Sequence, residues 1–385
     1  MKPGARVAAA IEILDQVGTG TPVEQALTRW ARGSRYAGSK DRAAVRDHVY
    51  DVMRQWRSAA ALGGGESGRA RMIGRLRAAG ADLDALFNGQ GHAPPPLTEA
   101  EVDCGAAPDT RGAVLDMPDW LLEQFDASLG TDAERTALAL RDRAPVSVRV
   151  NVARCSVEDA TYALAEDAVT AHPNPRAATA LTLQDGARRL RAAKAYVSGL
   201  VELQDAASQA AVALITGQGR VLDFCAGGGG KALALAAQGW DVTAHDAEPA
   251  RMRDMPARAA RGGHDIRIAT TQELAELPPF DVVLCDAPCS GSGTWRRAPQ
   301  AKWDLTPERL DELTDLQAQI LDTAMGYVSD TGALYYATCS VLAGENTAQV
   351  KAFTARHPGW RCDADWHWPV DTSGDGFFLA RLLRE

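Results

Sequence analysis

The sequence predicts an α/β protein. Its C-terminal half reads as a doubly wound, Rossmann-like parallel sheet, preceded by a small α+β segment and a helical N-terminal part. Three observations carry that prediction. From about residue 205 onward, short apolar runs alternate with helical stretches, the rhythm of parallel strands joined by crossover helices. A glycine-rich turn, Cys225-Ala226-Gly227-Gly228-Gly229-Gly230-Lys231, directly follows the first of those runs, Val221-Leu222-Asp223-Phe224. Two cysteines fifty residues apart, Cys289 and Cys339, each fall just after an apolar run. The ends of such runs are where an open α/β sheet carries its chemistry.

In chain order, apolar residues recur at helical spacing from Ala5 to about Ala60 (Val7, Ile11, Leu14, then Val45, Val49, Val52). Ser39 is placed to cap the helix that carries Arg46 and His48. Leu62–Gly68 reads as a break, Ala70–Leu86 as resumed helix, and Pro118-Asp119-Trp120 as the start of a helix ending near Arg141. The alternation in Val146–Asn151 predicts a strand and Val157–Glu166 a helix, within an α+β segment over 141–204. Strands are then expected near 220–224, 241–245, 266–270, 281–285 and 333–338, and a last one in Gly374–Leu382. Helices are expected near 205–216, 230–238, 249–261, 306–327 and 344–356.

At 385 residues the chain has room for two or three domains and a large core. No apolar run approaches the roughly 20 residues of a membrane helix. Met1-Lys2-Pro3-Gly4-Ala5-Arg6 lacks the pattern of a secretory signal. Seven cysteines, an odd count with no C-x-x-C spacing and no nearby histidine pair, argue for reduced thiols, a cytoplasmic location and no metal site. Net charge is −9, yet residues 1–80 hold 14 lysines and arginines against 7 acidic residues. Arg29, Arg32, Arg35, Lys40, Arg42, Arg46, Arg54 and Arg57 crowd one stretch, which reads either as a solvated helical face or as a phosphate-contacting surface.

Glycines after a first strand let backbone amides approach a ligand, and the helix that follows favours negative charge at its start. The turn is not a Walker A loop: Cys225 stands where the first glycine belongs, and Ala232 replaces the magnesium-binding Ser or Thr. Asp246, ending the second strand, is placed to bind ribose hydroxyls. Both NAD and S-adenosylmethionine sites use such an acid, so the turn and Asp246 leave the two open. The bland reading of Cys225 and Cys285 is small buried residues at strand ends.

Around the two thiols the sequence resembles the Sun/Nop family of RNA cytosine-5 methyltransferases, and within it the RsmB type acting on small-subunit ribosomal RNA. The resemblance lies in Cys225-Ala226 with Gly229-Gly230-Lys231, and in Asp286-Ala287-Pro288-Cys289-Ser290-Gly291 with Arg296-Arg297-Ala298-Pro299 and Lys302-Trp303. It extends to Tyr336-Ala337-Thr338-Cys339-Ser340 with Glu345-Asn346, to Gln204-Asp205, and to Gly374-Asp375-Gly376-Phe377-Phe378. It implies a methyltransferase domain over 205–385, a small RNA-binding subdomain over 141–204 and a NusB-like helical RNA-binding domain over 1–140.

The resemblance also implies a mechanism. Carbon 5 of cytosine is a poor nucleophile until a thiolate adds to carbon 6. The family pattern gives that attack to Cys339, release to Cys289, and contact with the cytosine N3 and amino edge to Asp286. In DNA cytosine methyltransferases the Pro-Cys cysteine is itself the nucleophile; the accompanying Thr338-Cys339 motif favours the RNA arrangement. S-adenosylmethionine is the implied cofactor, held by Cys225, Ala226, Gly227, Gly228, Gly229, Gly230, Lys231, Asp246, Thr271 and Asp286. The implied partner is RNA, 16S rRNA ahead of transfer RNA, with no DNA, no membrane and a monomeric state. Arg296 and Arg297 are expected to meet RNA phosphate. Two departures stand out. Four glycines replace the family's Ala-Pro-Gly-Gly, and Thr270-Thr271-Gln272 stands where the family places an adenine-binding Asp. A non-catalytic assembly factor and a dehydrogenase are the rival readings, and neither needs paired strand-end cysteines.

Overall fold

The computed structural model describes residues 1–385, which divide into two compact units. One comprises Met1–Arg143 with Trp295–Leu305, the other Ala144–Thr294 with Thr306–Glu385.

The first unit is helical. Pro3–Gly18, Val23–Gly33, Ser39–Arg54, Trp56–Gly63 and Gly68–Ala78 are its longer early helices. Their apolar positions, among them Val7, Ile13, Leu14, Val45, Val49, Met53, Met72 and Ile73, close into one buried cluster, as the 3.6-residue period requires. Ser39 is the first helical residue rather than the cap; Gly38 is the cap, and Asp41 accepts its backbone N–H at 3.2 Å. The helix expected from Pro118 to Arg141 is two helices, Asp119–Leu129 and Ala133–Ala139, because Gly130 interrupts it at φ 54°. The expected helix over 70–86 is likewise two, Gly68–Ala78 and Leu83–Leu86.

Segment Trp295–Leu305 is built into this unit. The Trp295 ring stacks on Phe125 with centroids 6.0 Å apart. Trp303 Nε1 donates to the Met53 carbonyl at 2.8 Å, and Arg54 Nε donates to the Arg296 carbonyl at 2.7 Å. Lys302, 1% exposed, donates to the Asp116 carbonyl at 2.5 Å, and burial pulls its amine down to about 7.

The second unit holds two sheets. Strands β1 (Val146–Val150), β2 (Thr170–Pro173), β3 (Ala180–Asp185) and β4 (Val201–Leu203) pair antiparallel in the order β2-β3-β1-β4. Helix Val157–Glu166 covers them through Ala160 and Leu164. Strands β5 (Arg220–Asp223), β6 (Asp241–Ala244), β7 (Ile266–Ile268), β8 (Phe280–Asp286) and β9 (Val328–Thr338) are parallel neighbours in the order β9-β8-β5-β6-β7. Strands β11 (Phe377–Arg384) and β10 (Trp360–Trp368) extend the β9 side antiparallel. Both faces of the seven-stranded sheet are buried: Val221, Val242, Val282 and Leu284 on one, Leu222, Val283, Cys285 and Leu334 on the other. Two-sided burial is why these strands read as continuous apolar runs rather than as alternation. The strand order reverses between β5 and β8, and at such a switch point the strand ends open a crevice.

Candidate active site

Five strands deliver the predicted residues to the C-terminal edge of this sheet. The turn after β5 is positioned by its neighbours: Phe224 N donates to the Leu284 carbonyl at 2.8 Å and Ala226 N to the His245 carbonyl at 2.8 Å. Gly227 and Gly229 have φ of 51° and 82°, which side chains other than glycine rarely adopt. Helix Gly230–Ala237 follows at once, aiming its free amides at the crevice. A cleft of about 230 Å³ opens there, lined by Cys225, Ala226, Gly227, Gly228, Gly230, Lys231 and Asp286 from the predicted set. Gln204, Asp205, Ser208 and Arg251 complete its lining.

Asp246 lies at the end of β6, 4% exposed. Its Oδ2 accepts Gly227 N at 2.9 Å and pairs with Arg251 Nη1 at 3.1 Å, while Oδ1 accepts Glu248 N at 2.9 Å. Thr271, after β7, is exposed and bonded through Oγ1 to Nε2 of buried His245 at 2.9 Å. Gly229 caps the helix, and a Cβ there would meet Met255 at 2.7 Å.

Lys231 Nζ lies 2.5 Å from Asp286 Oδ2 and 5.0 Å from the Phe377 ring centroid. Burial pulls its ammonium down, but the charge and hydrogen bond of Asp286, with Asp223 and Cys339 nearby, hold it above the ordinary lysine range. Asp223, fully buried at the end of β5, is pushed up to about 7 by that burial. Cys285 is fully buried, and burial raises both its thiol and that of Cys225.

The two thiols meet. Cys289 Sγ and Cys339 Sγ are 3.5 Å apart, on loops leaving the adjacent strands β8 and β9. The hydrogen bond to Cys339, then burial and the charges of Cys339 and Glu345, push the Cys289 thiol well above its usual range. Glu345, 0% exposed, joins the two loops. Its Oε1 accepts Ser290 N at 2.7 Å and Gln317 Nε2 at 3.1 Å; its Oε2 accepts the Ser290 and Ser340 hydroxyls, each at 2.5 Å. Ser292 Oγ and Ser340 Oγ lie 2.8 Å apart, and Gly293 N donates to the Cys339 carbonyl at 2.9 Å. A buried carboxylate satisfied this fully fixes its partners firmly.

Some expectations change. Arg296 is buried, 3% exposed, so it does not offer its charge to RNA; Arg297 is exposed. Arg54 is buried against Asp51 and the Arg296 carbonyl, and Arg57 is bound to Asp119 and the Met117 carbonyl. Arg29, Arg32, Arg35, Lys40, Arg42 and Arg46 remain exposed. Sequence reasoning missed His245, Arg251 and Asp223. Their only signal was position: each sits at a strand end, or within a few residues of one, beside a residue already chosen.

A family described as "16S rRNA methyltransferase RsmB/F" matches residues 211–383, and the "RsmF/B-like, ferredoxin-like domain" matches 117–188. The chain is 33% identical over 287 residues to ribosomal RNA small subunit methyltransferase B of Cronobacter sakazakii, across 70% of this chain and 66% of that protein. Among solved structures, PH0851 superposes with a TM-score of 0.78 at 23% identity, covering 100% of this chain and 99% of that one. NSun6 from Pyrococcus horikoshii, solved with SFG, gives 0.62 at 17% identity, covering 70% of this chain and 98% of that one.

Proposed function

The chain belongs to the 16S rRNA methyltransferase RsmB/F family, and on that premise we propose that it transfers a methyl group from S-adenosylmethionine to carbon 5 of a cytosine in 16S rRNA. The observation that carries this reading is the 3.5 Å approach of two strand-end thiols beside the Lys231–Asp286 pair. A binding module or a dehydrogenase has no use for that arrangement.

The cleft fits the cofactor. Gly227 holds φ 51° and Gly229 φ 82°, so glycines there leave a backbone-lined cradle. Asp246 offers a carboxylate for the ribose hydroxyls, and Lys231 a cation for the amino-acid carboxylate. S-adenosylmethionine supplies the electrophilic methyl group there.

The chain's own residues act on the base. The Cys339 thiolate adds to carbon 6 and makes carbon 5 nucleophilic. Asp286 receives the N3 and amino edge of the ring and stabilises the charge that develops there. Once methylated, carbon 5 gives up its proton to water as base, the electrons of that bond re-form the carbon 5–carbon 6 double bond, and the Cys339 sulfur leaves as thiolate. Cys289, raised so that it keeps its proton, is positioned to hydrogen-bond to the departing Cys339 sulfur and assist that release. The Thr338-Cys339 motif supports Cys339 as the attacking thiol of the pair.

The test is transfer of labelled methyl from S-adenosylmethionine to 16S rRNA, followed by nucleoside analysis. Label in 5-methylcytosine is the expected result. Label in another nucleoside, or none in 16S rRNA, overturns the reading.

A further inference from the structure

We propose that Glu345 and Asn346, neighbours in the chain, each position one of the two thiols: Glu345 fixes Cys289, and Asn346 fixes Cys339. This rests on the covalent reading of the pair and adds two positioning residues to it.

Both side chains are buried, and they serve different loops. The residues on either side of Cys289 are held through Glu345. Ser290 gives that carboxylate its backbone N–H at 2.7 Å and its hydroxyl at 2.5 Å. Pro288 is reached one step further on. Gln317 Nε2 donates to the Pro288 carbonyl at 2.9 Å and to Glu345 Oε1 at 3.1 Å. The residues on either side of Cys339 are held through Asn346. Thr338 Oγ1 donates to Asn346 Oδ1 at 2.5 Å, and Asn346 Nδ2 donates to the Ser340 carbonyl at 2.9 Å. Ser340 N in turn donates to Thr338 Oγ1 at 3.2 Å. Glu345 also accepts the Ser340 hydroxyl, but Thr338 and the Ser340 backbone do not depend on it.

Neither side chain can be exchanged for its isostere. All four contacts of the Glu345 carboxylate are donors, and an amide has only one accepting oxygen. A Gln must therefore turn its amino group on Ser290 N and Gln317, or on the two hydroxyls. The Ser340 hydroxyl cannot turn to receive it, because Leu342 N at 3.0 Å and Ser292 Oγ at 2.8 Å occupy its lone pairs. Asn346 is the converse case, since an Asp would set an acceptor against the Ser340 carbonyl. Attack needs Cys339, whereas release needs Cys289 beside the Cys339 sulfur. Glu345→Gln should therefore spare attack and slow release, and Asn346→Asp should slow attack. A residue that only stabilised the fold would depress both steps and cofactor binding together.

The test is denaturing electrophoresis of protein incubated with 16S rRNA and S-adenosylmethionine, with calorimetry of S-adenosylhomocysteine alongside. Glu345→Gln should retain a covalent protein–RNA adduct although Cys289 is present, with release slowed about tenfold or more. In a Cys289→Ala background, where the adduct is trapped, its rate of formation reads attack alone. There Glu345→Gln should change that rate by no more than about twofold, and Asn346→Asp should lower it by about tenfold or more. Cofactor affinity should be unchanged in both. Gln317→Leu breaks the reach to Pro288 and leaves the carboxylate in place, so it too should retain adduct, and it decides the matter if Glu345→Gln does not fold. Adduct in Cys289→Ala but none in the folded Glu345 or Gln317 variant overturns this inference alone. Equal slowing of attack by Glu345→Gln and Asn346→Asp overturns it as well. No adduct in Cys289→Ala itself overturns the covalent reading beneath it.

Discussion

Cys289 and Cys339 face each other at 3.5 Å, and Cys289 is pushed well above its usual range by its hydrogen bond to Cys339, by burial and by the nearby Glu345 charge. Asp246 is comparably specialised, since one carboxylate holds the glycine turn through Gly227 N and pairs with Arg251. Asp246→Asn should therefore weaken S-adenosylmethionine binding by about 1–3 kcal/mol, the worth of hydrogen bonds to a charged group. Asp246→Ala should weaken it further, because Gly227 loses its acceptor. Calorimetry reads both, and unchanged affinity in the Ala variant would remove Asp246 from the site. At this scale the residues read from sequence are those whose chemistry follows from residue type at a strand end: Cys289, Cys339, Asp286, Asp246. His245 and Arg296 acquire their surroundings from segments distant in the chain, and Glu345 from Ser290 and Gln317 as well as nearby Ser340. The burial of Arg296 leaves no local trace, and the bonds of Glu345 to Ser290 and Gln317 leave none either.

The elements that carry the site are held by one narrow approach. Gly293 N donates to the Cys339 carbonyl and its own carbonyl accepts Gly376 N at 3.0 Å, so one residue ties together the β8 loop, the β9 loop and the start of β11. A Cβ at Gly293 would stand 2.4 Å from the Gly376 carbonyl oxygen, with backbone that cannot step aside. Gly293→Ala should cost about 1–3 kcal/mol of stability, the usual penalty of overpacking, read as a lower denaturant midpoint. Methyl transfer should suffer more than cofactor binding, because the strain falls between the thiol loops; equal loss of both would place the strain elsewhere. The parallel strands were legible because both faces are apolar. Strand β10 was not. It is an edge strand mixing tryptophans with charged residues, and only pairing with β11 makes it a strand. The helix starting after Gly38 is capped by the Asp41 side chain three residues on rather than by Ser39, and Gly130 breaks the later helix at φ 54°.

Across the whole molecule the helical unit keeps a surplus of exposed cations at Arg29, Arg32, Arg35, Lys40, Arg42 and Arg46, although Arg54 and Arg57 serve the fold. Replacing Arg29, Arg32 and Arg35 with Gln should weaken RNA binding and lower the slope of log K against log salt by about 0.7–0.9 for each phosphate that is no longer neutralised. An unchanged slope would mean these residues do not touch RNA. Substitution is a cleaner test than deleting residues 1–140, because the deletion would also uncover Trp295, Lys302 and Trp303, which that unit buries or holds. Such an intrusion of a distant segment, Trp295–Leu305 into the helical unit, could not be read from local pattern. The central claim is that the two thiols have different tasks in one covalent cycle. Its most direct measurement is denaturing electrophoresis of the protein incubated with target RNA and S-adenosylmethionine. Cys289→Ala should accumulate a covalent protein–RNA adduct, while Cys339→Ala and the double variant should form none. An adduct trapped by Cys339→Ala and absent from Cys289→Ala would reverse the roles and contradict the account.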